Sequence, residues 1–253
     1  MLPTFKETTM KHPFTPPELN TPAFHALRKR IGGQHANFER LVYGSLAAFG
    51  RSPELMFAAR YLAHVDLGDE ERIGQLFADA DSWRADMGAY LTAVCSLPPW
   101  TDLLGVLHAE ATARADRDAR CQHFTPSNLS DGAAAFSPSR GETPQHVMDP
   151  CCGSGALILA HLRRSQSVAA MTIQANDLDP LCSAMTALQI HAGGFVQGRQ
   201  FPRLVVVTQV DLIREYLETK RPMWMCERMS DEDAEQVQEL VAIGKHLSQN
   251  KAA

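Results

Sequence analysis

The sequence predicts an α/β protein in two parts. An all-helical domain over residues 21–120 precedes an incomplete parallel sheet, alternating with helices, over residues 121–253. Three observations carry this. Apolar residues recur at three-to-four spacing through the first part, as one buried face of a helix requires. The second part holds three short apolar runs, each closing on an acidic residue, at Asp149, Asp177 and Asp211. A glycine-rich turn follows the first of these runs, where a strand hands over to a helix.

Composition sets the outer bounds. The 253 residues are 45% hydrophobic and 21% charged, with a formal net charge of −5. That is an ordinary soluble composition, with no apolar run near the roughly 18–20 residues of a membrane span. Residues 1–20, rich in Thr, Pro and Lys, read as a flexible arm without the apolar centre of a secretory signal. Six cysteines without a C-x-x-C pair make neither a zinc site nor a disulfide framework, so reduced thiols and a cytoplasmic location are expected. A free-standing DNA binder usually carries a basic face, because phosphate neutralisation supplies most of the affinity. The global balance is acidic, and Arg28-Lys29-Arg30 is the basic stretch left to consider.

Thr21-Pro22 reads as an N-cap with proline at the first helical position. Phe38, Leu41, Val42, Leu46 and Phe49 form one apolar stripe. Ser52-Pro53-Glu54 repeats the cap, and Leu55, Ala58, Ala59 and Leu62 extend the stripe, so this stretch is expected to be helical. Further helices are predicted over residues 70–94 and 101–117. Thr125-Pro126 can cap the helix that follows it, and residues 130–144 begin as helix and end as loop.

Gln145-His146-Val147-Met148 reads as a strand, and Leu157-Ile158-Leu159-Ala160-His161-Leu162 as a helix. Between them lies Asp149-Pro150-Cys151-Cys152-Gly153-Ser154-Gly155-Ala156. Glycine there permits a tight turn and lets a ligand approach the backbone. The first turn of the helix offers unpaired N–H groups. Asp149 stands at the carboxyl end of its strand, where open α/β sheets place ligands. The spacing is not the G-x-G-x-x-G dinucleotide fingerprint. A second buried strand is expected over residues 167–177, then a helix opened by Asp179-Pro180 and stopped at Gly193-Gly194. An acid at such a strand tip can accept hydrogen bonds from ribose hydroxyls, and Asp177 lies close to the ~20 residues beyond the glycine loop expected of a nucleotide-binding unit. Leu204-Val205-Val206-Val207 is the clearest strand, covered on both faces, and Asp211 follows it, either meeting a ligand or capping residues 212–218.

Together these motifs resemble the adenine-N6 DNA methyltransferases, especially the modification subunits of type I restriction systems. Asp149-Pro150-Cys151-Cys152-Gly153-Ser154-Gly155 matches that family's D-P-x-C-G-S-G loop, with Cys151 where a small residue is usual. Gln122-His123-Phe124-Thr125-Pro126 is similar to its G-Q-F-(F/Y)-T-P loop, and Asp102 to Glu110 to a D-x-x-G-x-x-(Y/H)-E helix, one residue longer here. The matches run from Phe124 to Asp211, roughly the central third of the chain. The resemblance implies a Rossmann-like S-adenosylmethionine-dependent methyltransferase core. It implies that Asp149, Pro150, Cys151, Cys152, Gly153, Ser154 and Gly155 wrap the methionine part of the cofactor. Phe124, Thr125 and Pro126 would close over it, Asp177 and Leu178 would meet the ribose, and Asp211 the adenine.

One element of that family is missing. Its (Asn/Asp)-Pro-Pro-(Tyr/Phe) loop accepts both N–H hydrogens of the adenine amine, aims the lone pair and stacks on the flipped base. The place for it is around residues 222–228, which hold no such motif, and Pro-Pro occurs only at Pro16-Pro17 and Pro98-Pro99. A last amphipathic helix is expected over residues 230–247. The sheet would be half built, with its last strand an edge that the final helix or a homo- or hetero-oligomeric partner could cover. Two readings follow: a cofactor-binding methyltransferase needing a partner for catalysis, with DNA as its candidate substrate, or an inactive remnant serving as an accessory, regulatory or antirestriction-type binder. His108, His123, His161 and His191 fall on different elements and read as surface or satisfied core groups rather than metal ligands.

Overall fold

The computed structural model describes residues 17–51, 61–65, 71, 74–75, 78–112, 122–136, 146–195, 198, 201–212 and 222–228. The expectations for residues 1–16, 52–60, 137–145, 213–221 and 229–253 lie outside these, among them the Ser52-Pro53-Glu54 cap and the final helix. Helix α1 (Pro22–Ile31) starts as predicted: the Thr21 hydroxyl accepts the Phe24 N–H at 3.1 Å and Pro22 opens the first turn. Helix α2 (His35–Arg51) buries the predicted stripe of Phe38, Leu41, Val42, Leu46 and Phe49. Helices α3 (Ala80–Cys95) and α4 (Leu103–Ala111) follow, α4 capped by Asp102, whose carboxylate accepts the Gly105 N–H at 2.9 Å.

The sheet contains β1 (Tyr61–Val65), β2 (His146–Asp149), β3 (Thr172–Asn176), β4 (Leu204–Thr208) and β5 (Pro222–Arg228), in the order β1-β5-β4-β3-β2. β2, β3 and β4 form a small parallel sheet, in register from Thr172 opposite both His146 and Leu204. α5 (Ser127–Phe136) precedes β2, α6 (Ala156–Arg164) lies between β2 and β3, and α7 (Pro180–Phe195) between β3 and β4.

Four expectations need correction. Tyr61–Val65 is a strand, not a continuation of the helical stripe: β1 pairs antiparallel with β5, Leu62 opposite Glu227. The backbone of β5 needs partners on its outer side, and Tyr61–Val65 supplies them against its local helical periodicity. The sheet also does not stop at its third predicted strand: Pro222–Arg228, the stretch found to lack the catalytic-loop motif, is β5, antiparallel to β4. β4 is therefore interior, and the edges of the described sheet are β1 and β2, each paired on one side only among the described strands. Finally, Gly193 and Gly194 do not stop α7, which runs to Phe195. Their absent side chains make room instead: a Cβ on Gly193 would collide with the Trp100 indole, and one on Gly194 would lie 2.7 Å from Phe201 Cδ2. A smaller difference is that β3 begins at Thr172, after a single 3-10 turn at Val168–Ala170.

α7 is buried along almost its whole length, because α2 covers one side and the sheet the other. One continuous apolar cluster reaches from Phe24 and Leu46 through Leu104 and Leu188 to Ile173 and Val205. The helical part is thus built into the same core as the sheet.

Candidate functional site

Because β2, β3 and β4 are parallel, their carboxyl ends share one edge of the sheet. Asn176, the last residue of β3, ties these ends together. Its Nδ2 donates to the Pro150 carbonyl at 3.1 Å and to the Val210 carbonyl at 3.2 Å. Its Oδ1 accepts the Val210 N–H at 3.1 Å and the Thr208 hydroxyl at 2.8 Å. One side-chain amide thereby spends its whole hydrogen-bonding capacity on fixing two neighbouring strand tips. Asn176 was not singled out from the sequence; the available signal was an amide closing the strand directly before the acid at its tip.

The glycine loop is held peptide by peptide. The Asp149 carboxylate accepts the Cys151 N–H at 3.2 Å, and the Asn176 carbonyl accepts the Cys152 N–H at 2.8 Å. The Gly153 N–H donates to Asp177 Oδ2 at 2.8 Å, and the Thr186 hydroxyl donates to the Gly153 carbonyl at 3.1 Å. Gly153 (φ 55°) and Gly155 (φ 87°) occupy the left-handed region that side chains resist. Phe124 lies against this turn: a Cβ on Gly153 would sit 3.1 Å from its Cδ1. The ring also packs on His108 of α4, centroid to centroid 5.0 Å.

Asp177 begins the next loop. Its second oxygen, Oδ1, accepts the Asp179 N–H at 3.0 Å. The Leu178 N–H acts on the same carboxylate, and with about four acceptor positions the group retains capacity beyond these three donors. Partial burial raises the Asp177 carboxyl above the ordinary carboxylate range, against the lowering effect of the Asp179 and Gly153 N–H groups. Asp149 is raised likewise, by burial first and also by the Asp177 charge, its Cys151 hydrogen bond opposing. The edge is therefore negative, which suits hydroxyl-rich or cationic ligands and disfavours phosphates. Asp179 caps α7 as expected, accepting the Leu181 N–H at 2.8 Å, and also takes a 2.6 Å hydrogen bond from Gln122.

The other predicted residues divide by exposure. Pro150, Cys151, Pro126 and Leu178 are exposed; Thr125 and Asp211 are half-buried, Asp211 directly after the tethered Val210. Pro126 also opens α5, its carbonyl accepting the Leu129 and Ser130 N–H groups, both at 3.0 Å, so the capping role is present there. Cys152, Ser154 and Gly155 are buried. Burial pushes the Cys152 thiol far up. The Ser154 hydroxyl turns inward and donates to Asp102 Oδ2 at 2.8 Å.

The Arg28-Lys29-Arg30 stretch is largely neutralised within the helical part. Arg28 pairs with Glu110 at 2.8 Å, and Arg30 and Arg40 share the buried Asp86. Among the described residues no group of three or more His, Cys, Asp and Glu could hold a metal ion, and no helix is long and apolar enough to cross a membrane.

No protein-family model matches this chain, and no curated protein matches it. Among solved structures, the crystal structure of the type I restriction-modification system methyltransferase subunit from Streptococcus thermophilus is similar at a TM-score of 0.32 and 14% sequence identity. The match covers 62% of this chain and 33% of that one, so the chain spans about a third of that subunit.

Proposed function

We propose that the strand-tip edge binds S-adenosylmethionine in a Rossmann-like, methyltransferase-type pocket, and that the isolated chain binds this cofactor without transferring its methyl group. The observation that carries the reading is the 2.8 Å hydrogen bond from Gly153 N–H to Asp177 Oδ2. It joins the loop resembling the methionine cradle to the acid placed for the ribose, while leaving that acid acceptor capacity. The residues present fit the cofactor. Gly153 and Cys151 lie partly open to solvent, Phe124 flanks the loop, and the two carboxylates Asp149 and Asp177 favour a sulfonium and an ammonium over a phosphate. When bound, the cofactor would supply an electrophilic methyl group. What the chain supplies is binding and orientation, because no (Asn/Asp)-Pro-Pro-(Tyr/Phe) sequence is present to position an adenine amine.

A second reading is favoured by β2, which pairs on one side only among the described strands. A partner chain, a second copy or a different subunit, could extend the sheet there and bring the missing acceptor loop and DNA contacts to the same edge. Calorimetric titration with S-adenosylmethionine and S-adenosylhomocysteine, with ATP as the phosphate-bearing control, tests the pocket. Heat and a thermal shift are expected for the first two and not for ATP. Silence from all of them removes both readings.

A further inference from the structure

Asp102, Gly105 and His108 recur every third residue, so they share one face at the start of α4. Each touches a different part of the proposed crevice. Asp102 Oδ2 accepts the Ser154 hydroxyl at 2.8 Å. Gly105 leaves the space that this contact needs, since a Cβ there would lie 2.5 Å from Asp102 Oδ2 and 2.7 Å from Ser154 Oγ. His108 packs on Phe124, the aromatic that lies against Gly153. Gln189 of α7 completes the support. Its Oε1 accepts the Leu103 and Leu104 N–H groups, both at 3.0 Å. Its Nε2 donates to Asp102 Oδ1 at 2.8 Å and to the Ser154 carbonyl at 2.7 Å.

We infer that this face of α4, with Gln189, is a positioning platform that sets both lips of the crevice, the glycine loop through Ser154 and the aromatic loop through Phe124. The inference rests on the cofactor reading above and goes beyond it, because none of Asp102, Gly105, His108 and Gln189 is assigned to touch the ligand. It explains why Ser154, in the middle of a ligand loop, faces inward: its hydroxyl is the handle by which α4 holds the turn. It also gives the D-x-x-G-x-x-H spacing a physical reason.

The geometry makes an isosteric test possible. Both donors other than Ser154 meet Oδ1 of Asp102, and Ser154 alone meets Oδ2. An asparagine with its oxygen at the Oδ1 place keeps the Gly105 and Gln189 bonds, and its NH2 can donate to the Ser154 oxygen, whose hydrogen rotates away. Asp102→Asn is therefore expected to preserve the loop, whereas Asp102→Ala and Ser154→Ala release it. Titration calorimetry with S-adenosylhomocysteine and with adenosine reads the consequence. Ser154→Ala and Asp102→Ala are expected to weaken S-adenosylhomocysteine roughly tenfold, the scale of one lost hydrogen bond to a charged acceptor. Adenosine, held by the other strand tips, should change less than about twofold on the same scale. Asp102→Asn should match the parent for both ligands.

Equal weakening of both ligands, or loss in Asp102→Asn, overturns the platform and points to general loosening or to a role for the charge itself. A ligand-free readout separates this from failure of the cofactor reading. Native-state alkylation of Cys152, 6% exposed, by N-ethylmaleimide should accelerate in Ser154→Ala and Asp102→Ala and not in Asp102→Asn. Unchanged alkylation in all three variants refutes the platform even if the parent binds S-adenosylhomocysteine. Accelerated alkylation with no binding by the parent leaves the clamp standing and sinks its proposed purpose.

Discussion

Replacing Asp177 by alanine separates the two jobs assigned to its carboxylate. In the free protein it accepts the Gly153 N–H at 2.8 Å and the Asp179 N–H at 3.0 Å. Those bonds persist when ligand binds, so their loss appears in stability, at about 1–3 kcal/mol for the half-buried donors left behind. The proposed ribose contacts would form only in the complex and so appear in affinity. Two hydroxyls donating to a carboxylate contribute about 1.5–3 kcal/mol each, and the lower end applies where the carboxylate is still partly hydrated. Asp177→Ala should thus cost about 3 kcal/mol of adenosine affinity, on the order of a hundredfold in Kd. Asp177→Asn retains one acceptor and should fall between. The assay is calorimetric titration with adenosine, which has no titrating methionine part, alongside urea unfolding of each variant. An Asp177→Ala protein that is folded and binds adenosine within about threefold of the parent contradicts the ribose assignment, since that gap is under 1 kcal/mol.

Ligand affinity should also depend on acid pH through the same group. Ribose hydroxyls favour ionised Asp177, whose carboxyl is raised in the free protein, so adenosine affinity should be flat at neutral pH and decline as pH falls through that raised value; flat affinity down to the ordinary carboxylate range would falsify this linkage. His191, buried between Phe49 and Phe201, is pushed down to about 3 by burial, while the unfolded chain protonates it near 6.5. Protonation therefore favours the unfolded state, and lowering pH from 7 to 5 should remove up to about 2 kcal/mol that a His191→Phe variant, if folded, would not lose. Asn176→Ala removes four hydrogen bonds at the strand tips and should lower unfolding stability by about 2–4 kcal/mol, read as a drop in urea midpoint; a midpoint shift near zero shows that the tips hold without it. Transfer of labelled methyl to adenine-containing DNA by the purified chain should stay at background, and turnover by it would show an acceptor site outside the missing motif.

Much of the sheet was readable because its signals are local. Short apolar runs closing at Asp149 and Thr208 specify strands, the second with Val205 and Val207 buried, and glycines at positive φ specify the turn between β2 and α6. The caps at Thr21 and Asp179 involve donors only two or three residues away. Hydroxyls and carboxylates satisfy nearby N–H groups wherever the chain goes next, so such features survive without knowledge of the fold.

The misread elements share the opposite property. Leu62 fits a helical stripe by spacing, yet pairs with Glu227 across the sheet. Gly193 looks like a helix stop, yet serves an indole brought from Trp100, in a contact that no local pattern announces. The sequence by itself determined the three parallel strands, the glycine turn and the helix caps, because short-range hydrogen bonds and side-chain periodicity specify them. Only the tertiary structure decided that β5 covers β4, that Asn176 joins the strand tips, and that Asp102 reaches Ser154 across 52 residues of chain. Those choices depend on which buried polar groups meet once the core has closed, and a buried donor or acceptor must find its partner wherever the fold provides one.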